Sequence, residues 1–287
     1  QGDAHILFGG GGDILLLYPD LLFERTRAQE AVQEKAWQIA EERMLDLLLP
    51  KAEGPRTDAA TEGGLEVVSA VADGASSTRE KLRKMLKAGK LADSWGWHDR
   101  AIITASQASY WSDLTLRFPL PHRESIFANA QRYDLDPALI YGVIRQESAF
   151  MEDARSPVGA LGLMQLMPAT GKQTAHALNI RYGGTDALLQ SDQNIRLGSG
   201  YFRKLLDRYN GSPVLAAAAY NAGPHRVSRW LPTDHSMQAD LWMELIPYPE
   251  TRSYVRRVLA YATVFEWRLQ RPVTPLTRRM PAVQQRY

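Results

Sequence analysis

A mainly α protein is predicted for this 287-residue chain by three observations. Apolar residues recur at helical spacing in several stretches, as Ile140, Val143 and Ile144 do after Asp136-Pro137. Helix start and stop residues bracket those stretches: Asp-Pro or Pro-Glu at the beginnings, Gly-Pro or Pro at the ends. No run of alternating residues is long enough for a large sheet, although Tyr182-Gly183-Gly184 marks a small irregular excursion. With 45% apolar residues the chain can bury a large core, as one large or two modest domains.

At the amino terminus, Gly9-Gly10-Gly11-Gly12 reads as a hinge, since it lacks the Lys and Ser/Thr of a phosphate loop. Residues 20–49 read as one long amphipathic helix, with Leu21, Leu22, Val32, Ile39, Met44, Leu47 and Leu48 among its apolar positions and Pro50 beyond its end. Residues 51–77, poor in large apolar side chains, read as a flexible linker. Ser77-Thr78-Arg79-Glu80 is a capping box for a short basic helix over 78–88 that Gly89 closes. Trp95, Trp97 and Trp111 are expected to serve as core or interdomain packing.

The helix opened by Asp136 and Pro137 carries an anomaly. Glu147 continues the spacing of Ile140, Val143 and Ile144, which places a carboxylate on an apolar stripe. Desolvation there raises its pKa, the condition for a glutamic acid that keeps its proton near neutral pH and can donate it. A core Glu satisfied by Arg145 or another cation explains the same pattern.

Downstream, Ser156-Pro157-Val158-Gly159-Ala160-Leu161-Gly162-Leu163-Met164-Gln165-Leu166-Met167-Pro168 specifies a tight, shaped turn beside an apolar wall. Ala216 to Ala219 allow close helix packing before Tyr220-Asn221-Ala222-Gly223-Pro224 ends that helix. Pro249 starts another helix in Ile246-Pro247-Tyr248-Pro249-Glu250-Thr251-Arg252-Ser253-Tyr254. The Tyr, Asn, Gln and second Glu at these ends read as a polar cleft lining.

In this order and at these separations, Gln146-Glu147-Ser148, Gly162 to Pro168, Ala219 to Pro224 and Pro249 to Tyr254 resemble the catalytic domain of the soluble lytic transglycosylases, lysozyme-like enzymes that cut peptidoglycan. The resemblance runs from about 95 to about 270. It implies a lysozyme-like helical domain there, with 1–94 as a helical amino-terminal region and 271–287 as a tail. It implies further that Glu147 is the sole catalytic acid/base, and that Ser156, Gln165, Met167, Tyr220, Asn221, Glu250 and Tyr254 surround it or the bound sugar. On that reading Glu147 protonates the oxygen between N-acetylmuramic acid and N-acetylglucosamine, the sugar's acetamido group stabilises C1, and the 6-hydroxyl closes to a 1,6-anhydromuramic end. A water-using muramidase of the same fold and a non-catalytic glycan-binding or adaptor module stay open. For Gln165 and Glu250, a turn-stabilising amide and a helix N-terminal charge compete with a role at the sugar, and Trp230 and Trp242 read equally as packing or as glycan contacts.

A second resemblance covers about 24–94. Ala40 to Pro50 and Thr78 to Leu91 resemble parts of the inserted helical domain of the AAA+ unfoldase subunit of the bacterial HslU–HslV protease; that family's ATP-binding residues are absent from the stretch, so no ATPase is implied. Soluble transglycosylases carry a long helical superstructure before the catalytic domain, and this chain departs from that pattern.

Composition narrows the partners. A net charge of +2 makes no case for nucleic acid, although Arg252, Arg256, Arg257, Arg268 and Arg271 read either as a basic face for an anionic polymer or as a solvated helix surface. With 0 cysteines there is no disulfide framework and no thiol nucleophile. None of the six histidines pairs at zinc-site spacing, and no metal or cofactor is expected. Gly171-Lys172-Gln173-Thr174 fails as a Walker motif, because Leu166 and Gln173 occupy required Gly and Ser/Thr positions. No apolar span of membrane length occurs, and Gln1 to Phe8 do not form a signal peptide. A periplasmic or envelope location is implied by the family resemblance alone, with peptidoglycan strands as the partner.

Overall fold

A computed structural model describes residues 80–108 and 113–284. The hinge at Gly9–Gly12, the helix over 20–49, the linker over 51–77, most of the HslU-like stretch, residues 77–79 of the capping box and Trp111 lie outside the described residues. The chain divides into two compact units, with Arg117 closing the smaller and Phe118 opening the main span of the larger.

In the smaller unit, residues 80–94 are helical (α1), followed by α2 (His98–Gln107) and α3 (Leu114–Arg117). Gly89 does not stop α1. A Cβ there would stand 3.5 Å from both Leu116 Cδ2 and Thr104 Cγ2, so the glycine marks where the helices meet, and the left-handed turn falls instead at Gly96 (φ 78°). Small residues make the contact: Ala92, Ala101 and Ala105 pack with Leu116. Trp95 and Trp97 do not join that core: they are 56% and 46% exposed, edge to face at 5.1 Å, with the Arg100 guanidinium 4.6 Å over Trp97.

The larger unit comprises α4 (Arg123–Arg132), α5 (Pro137–Glu147), α6 (Pro168–Ala177), a 3-10 turn (Asp186–Leu189), α7 (Ser191–Arg208), α8 (Pro213–Ala222), α9 (Pro224–Trp230), α10 (Ala239–Glu244), α11 (Pro249–Arg268) and α12 (Leu276–Arg279). Among the described residues there is no strand, only isolated bridges such as Arg155 to Leu161, Leu161 to Leu166 and Met237 to Val283. No described helix is long and apolar enough to cross a membrane.

The centre is α5 against α11. Every residue of α5 from Ala138 to Ile144 is buried, as a helix apolar nearly all round requires. Gly142 sets the approach, since a Cβ at that position would lie 2.8 Å from the carbonyl oxygen of Val258. The two helices run antiparallel: the end of α5 meets the start of α11 at Glu147 and Tyr254, while the start of α5 meets the end of α11 through Asp136, Arg279 and Glu266. Tyr141 stacks on Phe265 at 4.9 Å. Across the same core, α8 presents Ala216, Ala217, Ala218 and Ala219, all fully buried, as the small-residue run requires for close packing.

Residues 271–284 are tied in by charge. Arg279, 5% exposed, reaches Glu266 (2.5 Å) and Asp136 (2.9 Å), and Thr274 donates its N–H and its hydroxyl to Glu266. The arginine run is structural as well: Arg271 joins Asp136 (2.5 Å), Arg256 pairs with Glu244, Arg268 donates to the Phe118 carbonyl and Arg252 to the Ile246 carbonyl.

Candidate active site

Helix α5 begins where Asp136 accepts the N–H of Ala138 (3.0 Å) and Pro137 takes the first helical position. It ends at Glu147. Ser148 then accepts the N–H of Phe150 on its hydroxyl (3.1 Å), while Ala149 (φ 51°) and Phe150 (φ 72°) adopt left-handed backbone. Such geometry is costly for a bulky residue, and burial of the Phe150 ring against Tyr141 and Phe265 holds it in place. The reversal leaves Glu147 at the open end of the helix, half-buried.

Burial pushes the Glu147 carboxyl up to about 7 from an ordinary 4.5. The hydroxyl of Tyr254 donates to Oε1 at 2.7 Å and opposes the rise, and the charge of Glu250 adds to it. Arg145, the cation adjacent to Glu147 in sequence, lies over the rings of Tyr261 (5.1 Å) and Phe118 (5.5 Å). With its carboxyl at about 7, Glu147 keeps its proton in roughly half of the molecules at neutral pH, where an ordinary glutamate is ionised. Tyr254, 4% exposed, and Tyr220 are both pushed well above an ordinary phenol by burial and by the Glu147 charge, so both are hydroxyl donors. Tyr220 spends its proton on the Met164 carbonyl (2.8 Å) and tilts against Tyr201 and Phe202.

Met164 belongs to the loop over 156–167. Ser156 accepts the Ala160 N–H on its hydroxyl (2.9 Å), closing the loop's first half. Gln165, in left-handed backbone (φ 45°), donates its amide to the carbonyls of Gly162 (2.8 Å) and Ala154 (3.2 Å), the turn-stabilising arrangement. Met167 is 42% exposed at the entrance to α6. The residue that pins this loop lies outside all four motifs. Asn194, fully buried on α7, accepts the Met164 N–H (2.7 Å) and donates to the carbonyls of Leu188 (2.7 Å) and Leu161 (2.9 Å). Gly162 (φ 74°) is obligatory beside it, since a Cβ would come within 2.5 Å of the Asn194 amide nitrogen. A signal was present in the sequence: Asn194 shares a helical stripe with Leu197 and Gly198, a polar residue on an apolar face, as Glu147 is.

Asn221, half-buried at the end of α8, accepts the Thr251 hydroxyl on Oδ1 at 2.6 Å, and Thr251 is 2% exposed in the first turn of α11. Its neighbour Glu250 is exposed. Glu147, Tyr254, Tyr220 and Glu250 thus form one electrostatically coupled group, with Asn221 and Thr251 adjoining through α11, while Ser156 and Gln165 are engaged within the loop. Trp242 is a packing residue, 2% exposed, donating its indole N–H to the Trp230 carbonyl (2.8 Å); Trp230 meets the exposed Tyr248 edge to face at 5.2 Å. Among the described residues no three His, Asp or Glu side chains gather as a metal site.

The family model described as the transglycosylase SLT domain matches residues 124–243, a span holding Glu147, the loop and Asn221. Flanking the SLT domain, the soluble lytic transglycosylase helical domain matches 245–273, which carries Glu250, Thr251 and Tyr254, and the soluble lytic murein transglycosylase L domain matches 75–114. The soluble lytic murein transglycosylase of Salmonella typhimurium is 36% identical over 167 residues, 58% of this chain and 26% of that protein. The X-ray structure of an inactive glutamate-to-glutamine mutant of the lytic transglycosylase Slt from Pseudomonas aeruginosa is similar with a TM-score of 0.64 and 46% identity, over 66% of this chain and 30% of that one. The 70-kDa soluble lytic transglycosylase of Escherichia coli gives a TM-score of 0.62 at 26% identity over 95% of this chain and 48% of that one, so the likeness is not confined to the SLT domain. The chain spans from about a quarter to about half of the length of these relatives.

Proposed function

We propose that the chain is a lytic transglycosylase of peptidoglycan, cleaving the bond from N-acetylmuramic acid to N-acetylglucosamine and leaving a 1,6-anhydromuramic end. The observation that carries this reading is the Glu147 carboxyl, held at about 7 by burial inside an SLT domain. Glu147 gives its proton to the glycosidic oxygen. The acetamido carbonyl of the same muramic residue supports C1 as the bond breaks, and the ionised Glu147 then takes the proton of the 6-hydroxyl as that oxygen closes on C1. No water enters the balance. Tyr254 orients the carboxyl through its 2.7 Å hydrogen bond and steadies the carboxylate formed midway. Asn221 holds a polar group of the sugar, the exposed Met167 packs against a sugar face, and Ser156, Gln165 and Tyr220 keep the loop wall in shape. Support comes also from the Pseudomonas aeruginosa relative, in which one glutamate-to-glutamine exchange marks an inactive enzyme. Peptidoglycan strands are the partner, and the periplasm or cell envelope is where the enzyme meets them.

One observation favours a second reading. The charge of Glu250 reaches Glu147, and a second carboxylate beside the acid is what a water-activating muramidase uses. Mass spectrometry of muropeptides released from purified peptidoglycan separates the two: anhydro termini from the wild-type chain and no products from Glu147→Gln support the transglycosylase, whereas reducing termini support the hydrolase.

A further inference from the structure

We infer that Thr251 is a positioning residue that fixes the orientation of the Asn221 amide, so that Asn221 meets the glycan as a hydrogen-bond donor. This inference rests on the assignment of the surroundings of Glu147 as the glycan site. An Asn amide has an accepting oxygen and a donating nitrogen at opposite corners of a nearly symmetric group, and only its surroundings decide which corner faces a ligand. Here the oxygen is committed. It accepts the Thr251 hydroxyl at 2.6 Å, and that hydroxyl belongs to a side chain only 2% exposed on the first turn of α11. The donor comes from one helix and the acceptor from the last turn of another, so the bond locks the Asn221 side chain to a second rigid element. What remains for a sugar is the Nδ2–H end, suited to a carbonyl, carboxylate or hydroxyl oxygen. Three residues further along α11, Tyr254 holds Glu147, so one helix aims both the acid and the amide. Such alignment acts on the transition state more than on ground-state binding.

Thr251→Val removes the hydroxyl at nearly constant volume. With a soluble glycan fragment as substrate, kcat is expected to fall about tenfold with KM changed less than about twofold, and Thr251→Ser to restore it. In an Asn221→Ala background Thr251→Val is expected to cost nothing more. Asn221→Asp, which keeps the acceptor and removes the donor, is expected to lose as much as Asn221→Ala, each measured at its own pH optimum. The inference is overturned by wild-type turnover in a folded Thr251→Val variant, by an equal cost of Thr251→Val with and without Asn221, or by full activity of Asn221→Asp. A readout independent of turnover is NMR of the Asn221 side-chain amide: dispersed, slowly exchanging protons in the wild type and free-amide behaviour in Thr251→Val are expected, and identical spectra overturn the inference. If the wild-type chain released no muropeptides, the enzymatic reading would fail, while the amide spectra would still decide whether Thr251 fixes Asn221.

Discussion

The two ends of α5 carry two carboxylates with opposite fates. Asp136, at the N-cap, is pushed upward by burial, but the charge of Arg279 and hydrogen bonds from Arg271, Ala138 and Arg279 overcome that and hold it below the ordinary carboxylate range. At the other end a tyrosine hydroxyl and a neighbouring carboxylate act on Glu147, and burial prevails. The same helix thus ends in an ionised anchor and in a protonated acid. Burial alone specifies neither role; the charge of the facing group decides. A second contrast lies on α11, whose far end buries Glu266 against Arg279 and whose near end brings Tyr254 to Glu147.

The sharpest way to break this contrast is Glu147→Gln, which is expected to reduce release of anhydro-muropeptides by at least about a thousandfold, as loss of an essential acid does. Next in size is the anchor. Arg279→Met leaves Asp136 and Glu266 facing each other without their shared cation and is expected to destabilise the fold by about 3 kcal/mol, read by urea denaturation, with the pH dependence of turnover by the folded fraction unchanged.

The two ends also differ in sign with pH. A carboxyl raised to about 7 contributes stability that is present below the ordinary 4.5 and is lost as pH rises through 7, so Glu147→Gln is expected to stabilise the protein by up to about 3 kcal/mol at about pH 8 and hardly at about pH 4. Asp136 does the reverse, contributing above the ordinary range and losing that contribution as pH falls through its lowered value, so Asp136→Asn is expected to cost most near neutrality. Thermal melts of both variants at the two pH values check the pair. The smallest effect is on the alkaline limb of turnover, set by deprotonation of Glu147 at about 7. Removing the Glu250 charge with Glu250→Gln moves that limb to lower pH, and removing the Tyr254 hydroxyl with Tyr254→Phe moves it to higher pH; limbs that stay in place would show that neither group tunes the acid.

Several elements are legible in the chain itself. Asp136-Pro137 and Pro249 each start a helix, because capping and a fixed proline φ are local. Gly89 misleads, since a glycine serves a helix stop and a helix crossing alike, and only the positions of Leu116 and Thr104 distinguish them. Trp95 and Trp97 mislead because hydrophobicity alone does not decide burial.

By itself the sequence determined the helical class, the placement of Glu147 on an apolar stripe and the motifs that mark the SLT domain, all of which depend on spacing within a few turns. The tertiary structure decided which polar group faces each of these. Asn194 meets Met164 across 30 residues, Thr251 meets Asn221 across 30, and Tyr254 meets Glu147 across 107. Whether a buried carboxyl is an acid or an anchor follows from such partners, and helix periodicity holds no information about what another helix will bring to it.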